Sequence, residues 1–468
     1  MSGFYGSISQ HDVVSEVYYG TDYHSHLGTK RGGMAFFDRD KNTFERSIHS
    51  LENSYFRNKF ESEIARFSGK SGIGIISDTD SQPILLNTHL GMFALVTVSR
   101  INNMDELTER FLRNGGQFLE NSQGFTNHTE LIAKLICEEK DFVSGIENVH
   151  RHIKGSCSIL ILTRDYLLAA RDRLGRTPII IGKNGEGFCA ASESCSFTNT
   201  GYETHYTVGP GEVVRLTDNK MESILPAKSE MQVCSFLWVY YGYPPSHYEG
   251  INVDESRYRC GAALARRDDV EVDFVSGIPD SGIGHAIGYS NEKRIPYKRA
   301  YTKYTPTWPR SFMPQDQATR DLVAKMKLIP NADLVKGKRI VFLDDSIVRG
   351  TQLKDNTRDL HACGAEAVHM RIACPPLTFP CMFLNFSQSR STLELASRKA
   401  ISILDGDEKN FQDYVNPQSD RYHAMVKQIA VNLGLDSLMY QDITDLVEAI
   451  GLPKEKLCTH CWDGSSRF

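Results

Sequence analysis

Short apolar runs, broken by Gly, Asp or Asn, dominate the first half of the chain. Six of them stand out: "SGIGII" at 71–76, "FALVTV" at 93–98, "CSILILT" at 157–163, "YLLAA" at 166–170, "TPIIIG" at 177–182 and "GEVVRLT" at 211–217. Each is too short for a stable helix and most are bounded by Gly, Asp or Asn, so each reads as a strand. Between them "HTELIAKLICEE" sets Leu131, Ile132, Leu135 and Ile136 on one face at helical spacing. This order predicts an α+β sandwich over the first 230 or so residues. From about residue 252 the pattern becomes strand, loop, helix in alternation: "VDESRYRCGAALARR", "VDFVSGIPDSG", "KRIVFLDDS", "TQLKDNTRDLHACGA" and "AVHMRIACPP". Such alternation predicts an α/β unit, a parallel sheet flanked by helices. A last helix, "DRYHAMVKQIAVNLG", precedes a tail that ends "KEKLCTHCWDGSSRF".

Size and charge narrow the class of protein without naming its chemistry. A chain of 468 residues exceeds one ordinary core and predicts two domains with a small tail. Its 40% apolar and 24% charged residues are globular values, and no segment reaches the roughly 18 uninterrupted apolar residues of a membrane span. The first thirty residues lack a charged start followed by an apolar run, so a cytoplasmic location is expected. The formal charge of -5 comes without a basic block, which disfavours nucleic acid as a partner. Eleven cysteines, an odd number, argue against a disulfide framework and leave metal or cluster ligation open.

The chemistry concentrates in "RIVFLDDSIVRGTQLKD" at 339–355, where a buried strand runs straight into Asp344 and Asp345. Two adjoining carboxylates repel each other, so something positive or rich in hydroxyls belongs beside them. Just beyond, the backbone N–H groups from Ile347 to Gln352, with Gly350 for conformational freedom, form an anion-binding nest at a helix start. Carboxylates cannot bind phosphate, so they face ribose hydroxyls, a magnesium ion or a developing cation. Together the two features ask for a phosphorylated sugar.

These residues resemble the type I phosphoribosyltransferases and, over nearly the whole chain, the glutamine phosphoribosyl pyrophosphate amidotransferase family. The resemblance is carried by "GIPDSGIGHAIGYS" at 277–290, "RSFMPQDQATRDLVAKMKL" at 310–328 and "GKRIVFLDDSIVRGTQL" at 337–353, with "LLAARDRLGRTPIIIG" and "VGPGEVVRLTD" in the first half. It implies an Ntn-hydrolase-like αββα glutamine amidotransferase domain at 1–230, a type I phosphoribosyltransferase domain at 231–455 and a cysteine-bearing tail at 456–468. The implied substrates are phosphoribosyl pyrophosphate and ammonia or another amine, with purine nucleotides as inhibitors and a homo-oligomer as the assembly. By the same resemblance Ser346, Ile347, Val348, Arg349, Gly350, Thr351 and Gln352 would hold the 5-phosphate. Asp344 and Asp345 would hold the ribose hydroxyls, and Asp280 with Ser281 the pyrophosphate. Ser281, Asp344 and Asp345 would bridge magnesium, while Arg310 and Lys327 are candidate cations for the leaving group. The segment 303–326 reads as a closing loop that excludes water. It departs from the family: an Asn-Arg-Tyr motif is absent from "YTPTWPRSF", and Ile329 and Gln352 stand where Asn and Thr are usual.

The amidotransferase half departs further. The family nucleophile is an N-terminal cysteine, yet this chain begins Met1, Ser2, Gly3 and has no cysteine before Cys137. "IISDT" at 75–79 stands where an arginine clamps the glutamine carboxylate, Val98 and Ser99 where an Asn-Gly pair forms the oxyanion hole, and His128 where an aspartate grips the ammonium. A missing oxyanion donor costs roughly a hundred- to a thousandfold, and a missing nucleophile on the order of a millionfold. An inactive glutaminase is therefore expected, with ammonia taken free or from a partner. A non-catalytic sensor of the sugar pyrophosphate is the alternative. Cys458 and Cys461 in "CTHCW" can aim two thiolates at one metal, and the resemblance adds Cys234 and Cys381 as ligands of a [4Fe-4S] cluster. A zinc tetrathiolate or inert thiols are the alternatives. His460 is expected to be exposed, His361 to be a surface or packing residue, and "FLWVYYGY" to pack in the core beside Cys234.

Overall fold

The computed structural model describes residues 2–122, 124–304, 327–384, 392–406, 411–465 and 467. The first half stacks two antiparallel sheets face to face. One runs in the order Glu203–Thr207, Ile180–Lys183, Gly187–Ala191, Gly3–Ser9, Ser71–Ser77, Arg31–Asp38 and Thr43–Ser50. The other runs Met221–Leu225, Val213–Leu216, Leu167–Ala170, Gly155–Leu162, Gly91–Ile101 and Ile84–Thr88. Strand Gly155–Leu162 shows why its sequence is almost continuously apolar: Leu160 and Leu162 face the other sheet, while Cys157, Ile159 and Ile161 face the helices outside. Both faces of the pleat are covered, so alternation disappears. Helix Val14–Asp22 covers the outer face of the first sheet, and helices His128–Ile136 and Phe142–His152 cover that of the second. The layers are thus αββα, the Ntn-hydrolase-like sandwich.

The second half carries the four-stranded parallel sheet of a type I phosphoribosyltransferase, in the order Phe274–Gly277, Arg339–Asp344, Ala367–Ile372 and Ser437–Tyr440. Helices Val253–Arg267 and Ile283–Lys293 lie against each other beside it. Their backbones nearly touch: a Cβ at Gly261 would come 1.9 Å from the His285 carbonyl oxygen, and one at Gly288 2.0 Å from that of Tyr258. This contact fixes the loop between sheet and helix that bears Asp280 and Ser281.

The tail closes back on the seam between the halves. Leu457–Cys458 pairs in parallel with Val233–Cys234, so Cys234 and Cys458 are register partners. The carbonyl of Cys461 accepts from the backbone N–H groups of Thr378 and Phe379 at 3.0 and 3.1 Å. Phe236, Leu237, Trp238 and Val239, from the aromatic run, are buried here, and Trp462 stacks on Phe236 at 5.1 Å. Among the described residues no helix is long and apolar enough to cross a membrane.

Candidate active site

Strand Arg339–Asp344 has a parallel neighbour on each side, so its carboxyl end opens into the crevice where α/β sheets bind ligands. Asp344 ends the strand and Asp345 follows, 5% exposed. Ser281, from the loop after the adjacent strand, donates its hydroxyl to Asp344 Oδ1 at 2.6 Å, and the Asp345 backbone N–H donates to the same oxygen at 2.9 Å. Ser346 donates to Asp345. Burial, and then the charge of Asp345, raise the Asp344 carboxyl well above the usual carboxylate range. Burial raises Asp345 as well, against the hydrogen bond from Ser346. These few donors do not offset the burial of the two carboxyls.

Beyond the acid pair the chain turns into a helix. Gly350 sits at φ 74°, a left-handed conformation that costs a residue with Cβ, and it opens helix Thr351–Ala362. Ile347 is buried and anchors the loop, whereas Arg349, Thr351 and Gln352 are exposed. Arg349 pairs with Glu394 at 2.6 Å. Asp280 is exposed and pairs with Lys303 at 2.7 Å. Strands Tyr301–Lys303 and Leu328–Pro330 form an antiparallel ribbon that carries the segment read as a closing loop. Residues 305–326 of that segment, Arg310 with them, lie outside the described residues. Lys327 stands at the base of the ribbon, where its carbonyl accepts from the Tyr304 N–H at 2.9 Å. No ion pair joins it to the acid pair among the described residues.

Residues 70–199 match the glutamine amidotransferase domain family. The chain is 31% identical to the amidophosphoribosyltransferase of Archaeoglobus fulgidus, over 92% of this chain and 90% of that protein. The chain belongs to the amidophosphoribosyltransferase family. The Bacillus subtilis amidophosphoribosyltransferase is 29% identical over 96% of this chain and 89% of its own length. A solved structure of glutamine phosphoribosylpyrophosphate amidotransferase from B. subtilis, complexed with ADP and GMP, superposes with a TM-score of 0.85 at 27% identity, covering 99% of this chain and 96% of that one.

In the first half the side chains singled out from the sequence are placed as follows. Ser2 is buried and donates to Ser77 at 3.3 Å. Ser77 also accepts from the N–H groups of Thr79 and Asp80 at 3.1 and 3.2 Å. Asp80, 2% exposed, accepts from His128 Nδ1 at 3.0 Å, and Val98 lies in the apolar core between the sheets. Thr97 is within hydrogen-bond distance of Thr129 at 2.8 Å and of Ser99 at 3.3 Å. Each of these side chains except Val98 is engaged with a neighbour.

The four cysteines singled out from the resemblance do come together. Cys234, Cys381, Cys458 and Cys461 line one cavity, walled otherwise by Phe236, Phe383, Leu384 and Trp462 among others. Burial raises the thiols of Cys234 and Cys458, while a hydrogen bond from Cys461 draws Cys381 down to about 6. Four thiols on an apolar-walled cavity are the donor chemistry of an iron–sulfur cluster. The four thiols share the wall of this cavity, but among the described residues no three His, Cys, Asp or Glu side chains converge closely enough to hold a single metal ion. The expected exposure of His460 is overturned: the residue is 6% exposed, with Nδ1 3.0 Å from the Ser465 carbonyl and Nε2 3.2 Å from that of Pro380. The tail is folded inward by its own backbone partners, and the ring goes with it. His361 is a surface residue, 3.7 Å from Asp436.

Sequence patterns missed three cations. Arg257 is buried, donates to the carbonyls of Trp238, Tyr240 and Gly242, and bears electrostatically on Asp345. Lys303 meets Asp280, and Arg176 lines the cysteine cavity. Only Lys303 carried a signal, as a lone basic residue at the rim of the loop segment.

Proposed function

We propose that the chain transfers ammonia, free or handed over by a partner, to C1 of phosphoribosyl pyrophosphate, giving phosphoribosylamine and pyrophosphate in purine biosynthesis. The observation that carries this is the pair Asp344 and Asp345, both raised by burial and Asp344 also by its neighbour's charge, with Ser281 donating to Asp344 at the end of a parallel strand and a helix start following. Residues 346–352 take the 5-phosphate on their backbone N–H groups. Asp344 and Asp345 accept hydrogen bonds from the ribose hydroxyls and stabilise positive charge at C1 as the bond to the pyrophosphate oxygen lengthens. The nitrogen lone pair of ammonia forms the new bond to C1, the electron pair of the broken bond leaves with pyrophosphate, and the surplus proton goes to solvent. Magnesium, held by Ser281, Asp344 and Asp345, would supply positive charge to the leaving group when bound. Asp280 with Lys303 borders that group, and Arg310 and Lys327 are further cations assigned to it.

The glutaminase half, by this proposal, is kept as a fold and does not hydrolyse glutamine. Its support is the absence of the family's cysteine at Ser2, the apolar Val98 at the oxyanion position and the engagement of His128 with Asp80. The cysteine cavity would hold a [4Fe-4S] cluster through Cys234, Cys381, Cys458 and Cys461, tying the tail to both halves. Purine nucleotides are assigned as inhibitors and a homo-oligomer as the working state. Incubation with a glutamine-like electrophile followed by mass spectrometry tests the inactive half: no adduct at Ser2 is expected, and a covalent adduct there would overturn that assignment.

A further inference from the structure

Arg176 poses an electrostatic problem that the reaction does not solve. The residue is 1% exposed and lines the cavity of the four cysteines. Its guanidinium carbon lies 3.6 Å from the centroid of the Phe383 ring, so one face is stacked away from water. One terminal nitrogen donates to the Arg467 carbonyl and, at 3.5 Å, to Gln232. Nε has no hydrogen-bond partner, and no carboxylate pairs with the group among the described residues. Two other buried arginines are paired with carboxylates: Arg171 with Glu249 at 2.6 Å and Arg371 with Asp268. A further hydrogen bond joins the guanidinium to the Cys458 thiol, so the anion within reach of this buried charge is a thiolate of the cage.

We propose that Arg176 is the counter-charge of the cysteine cage, a buried cation set against the net negative charge of a thiolate-bound cluster and raising that cluster's reduction potential. This rests on the cluster reading given above. The cation–π stack on Phe383 fixes the guanidinium plane beside the cage and leaves Nε free to donate to sulfur. Its chain position adds a coupling. Arg176 follows "DRLG" in the amidotransferase half, and its carbonyl accepts from the Cys234 N–H at 3.2 Å. A loaded cage therefore draws a charge from the first half onto ligands that belong to the second half and the tail.

The test compares the full chain, purified without oxygen, with Arg176→Met, which removes the charge at similar volume, and Arg176→Lys, which keeps it. Iron and sulfide are counted first, and the potential is then followed by electron paramagnetic resonance during reductive titration. Removing a nearby cation in a dry site is expected to disfavour one-electron reduction at least tenfold, a downward shift of 59 mV or more, with Arg176→Lys nearer the parent. A methionine variant with parental iron content and an unchanged potential would overturn the proposal and leave the cluster itself standing. If Arg176→Met loses iron while Arg176→Lys retains it, the charge is still identified as the cause. If both variants are folded and empty, the requirement is for the guanidinium fork, and the charge argument fails. Parent protein without iron would remove the cluster reading and this proposal together.

Discussion

Replacing Asp344 by Asn should move stability and turnover in opposite directions. The amide is close to isosteric and its Oδ1 can still accept from Ser281, so the 2.6 Å contact survives while the charge facing Asp345 goes. Each unit by which burial and Asp345 raise the Asp344 carboxyl represents about 1.4 kcal/mol of strain at neutral pH. The ligand-free variant is therefore expected to be more stable than the parent and to melt at a higher temperature. The same logic fixes the pH dependence. A carboxyl raised in the folded state costs stability above its unfolded pKa of about 3.9, so the parent loses stability as pH rises from there through the raised value. The variant lacks that loss at one of the two sites. Magnesium with phosphoribosyl pyrophosphate should stabilise the parent by about 2.7 kcal/mol at a hundred times Kd, and the variant by much less. Turnover should fall roughly a hundred- to a thousandfold. Calorimetric melting in chelator and then in magnesium plus donor, with kinetics alongside, reads all of these quantities. An Asn variant that melts below the parent without ligand, or keeps the parent's full ligand shift, would refute the assignment of Asp344 and Asp345 as a strained cation site.

Three further outcomes are expected. Ser2→Ala should leave the ammonia-dependent rate within about twofold and add no glutamine dependence, since Ser2 is proposed to take no part; a large loss in steady-state assays would restore a role for the hydroxyl. His24 is fully buried, with Nδ1 on the Gly20 carbonyl and Nε2 accepting from the Glu193 N–H, and burial lowers it to about 4. Because the unfolded chain takes that proton first, stability should decline as pH falls from about 6.5 to about 4, by up to ~3 kcal/mol, and a His24→Gln variant should flatten that limb in chemical denaturation. Cys458→Ser should remove cluster iron and expose the tail: hydrogen exchange at 456–465 is expected to quicken on loss of iron, and unchanged exchange with unchanged iron content would contradict the four-cysteine assignment.

The sequence was most legible where chemistry forced unusual neighbours. Acid residues at 344 and 345, the glycine at 350 and the spacing of Cys458 and Cys461 stood out because no packing demand asks for them, and the structure joins Ser281 to Asp344 and sets both cysteines on one cavity. Strands such as Gly155–Leu162 were legible because they are buried on both faces. Strand Arg31–Asp38 was hidden: "RGGMAFFD" has two glycines and charged ends, and only its pairing with Ser71–Ser77 and Thr43–Ser50 makes it a strand. Arg176 and Arg257 were invisible for a similar reason. A buried arginine looks like a surface one in the chain, and its meaning comes from carbonyls and thiols brought from far along the sequence. The inward turn of His460 escaped notice because its acceptors, Ser465 and Pro380, become neighbours only when the tail docks.

Release of pyrophosphate from phosphoribosyl pyrophosphate, measured with ammonia, with glutamine and with no amine, tests the central claim most directly. Release with ammonia, absent with glutamine alone and with no amine, is the predicted result. Equal rates with glutamine would contradict the silent glutaminase, and tight donor binding with no release under any condition would make the chain a sensor of the sugar pyrophosphate.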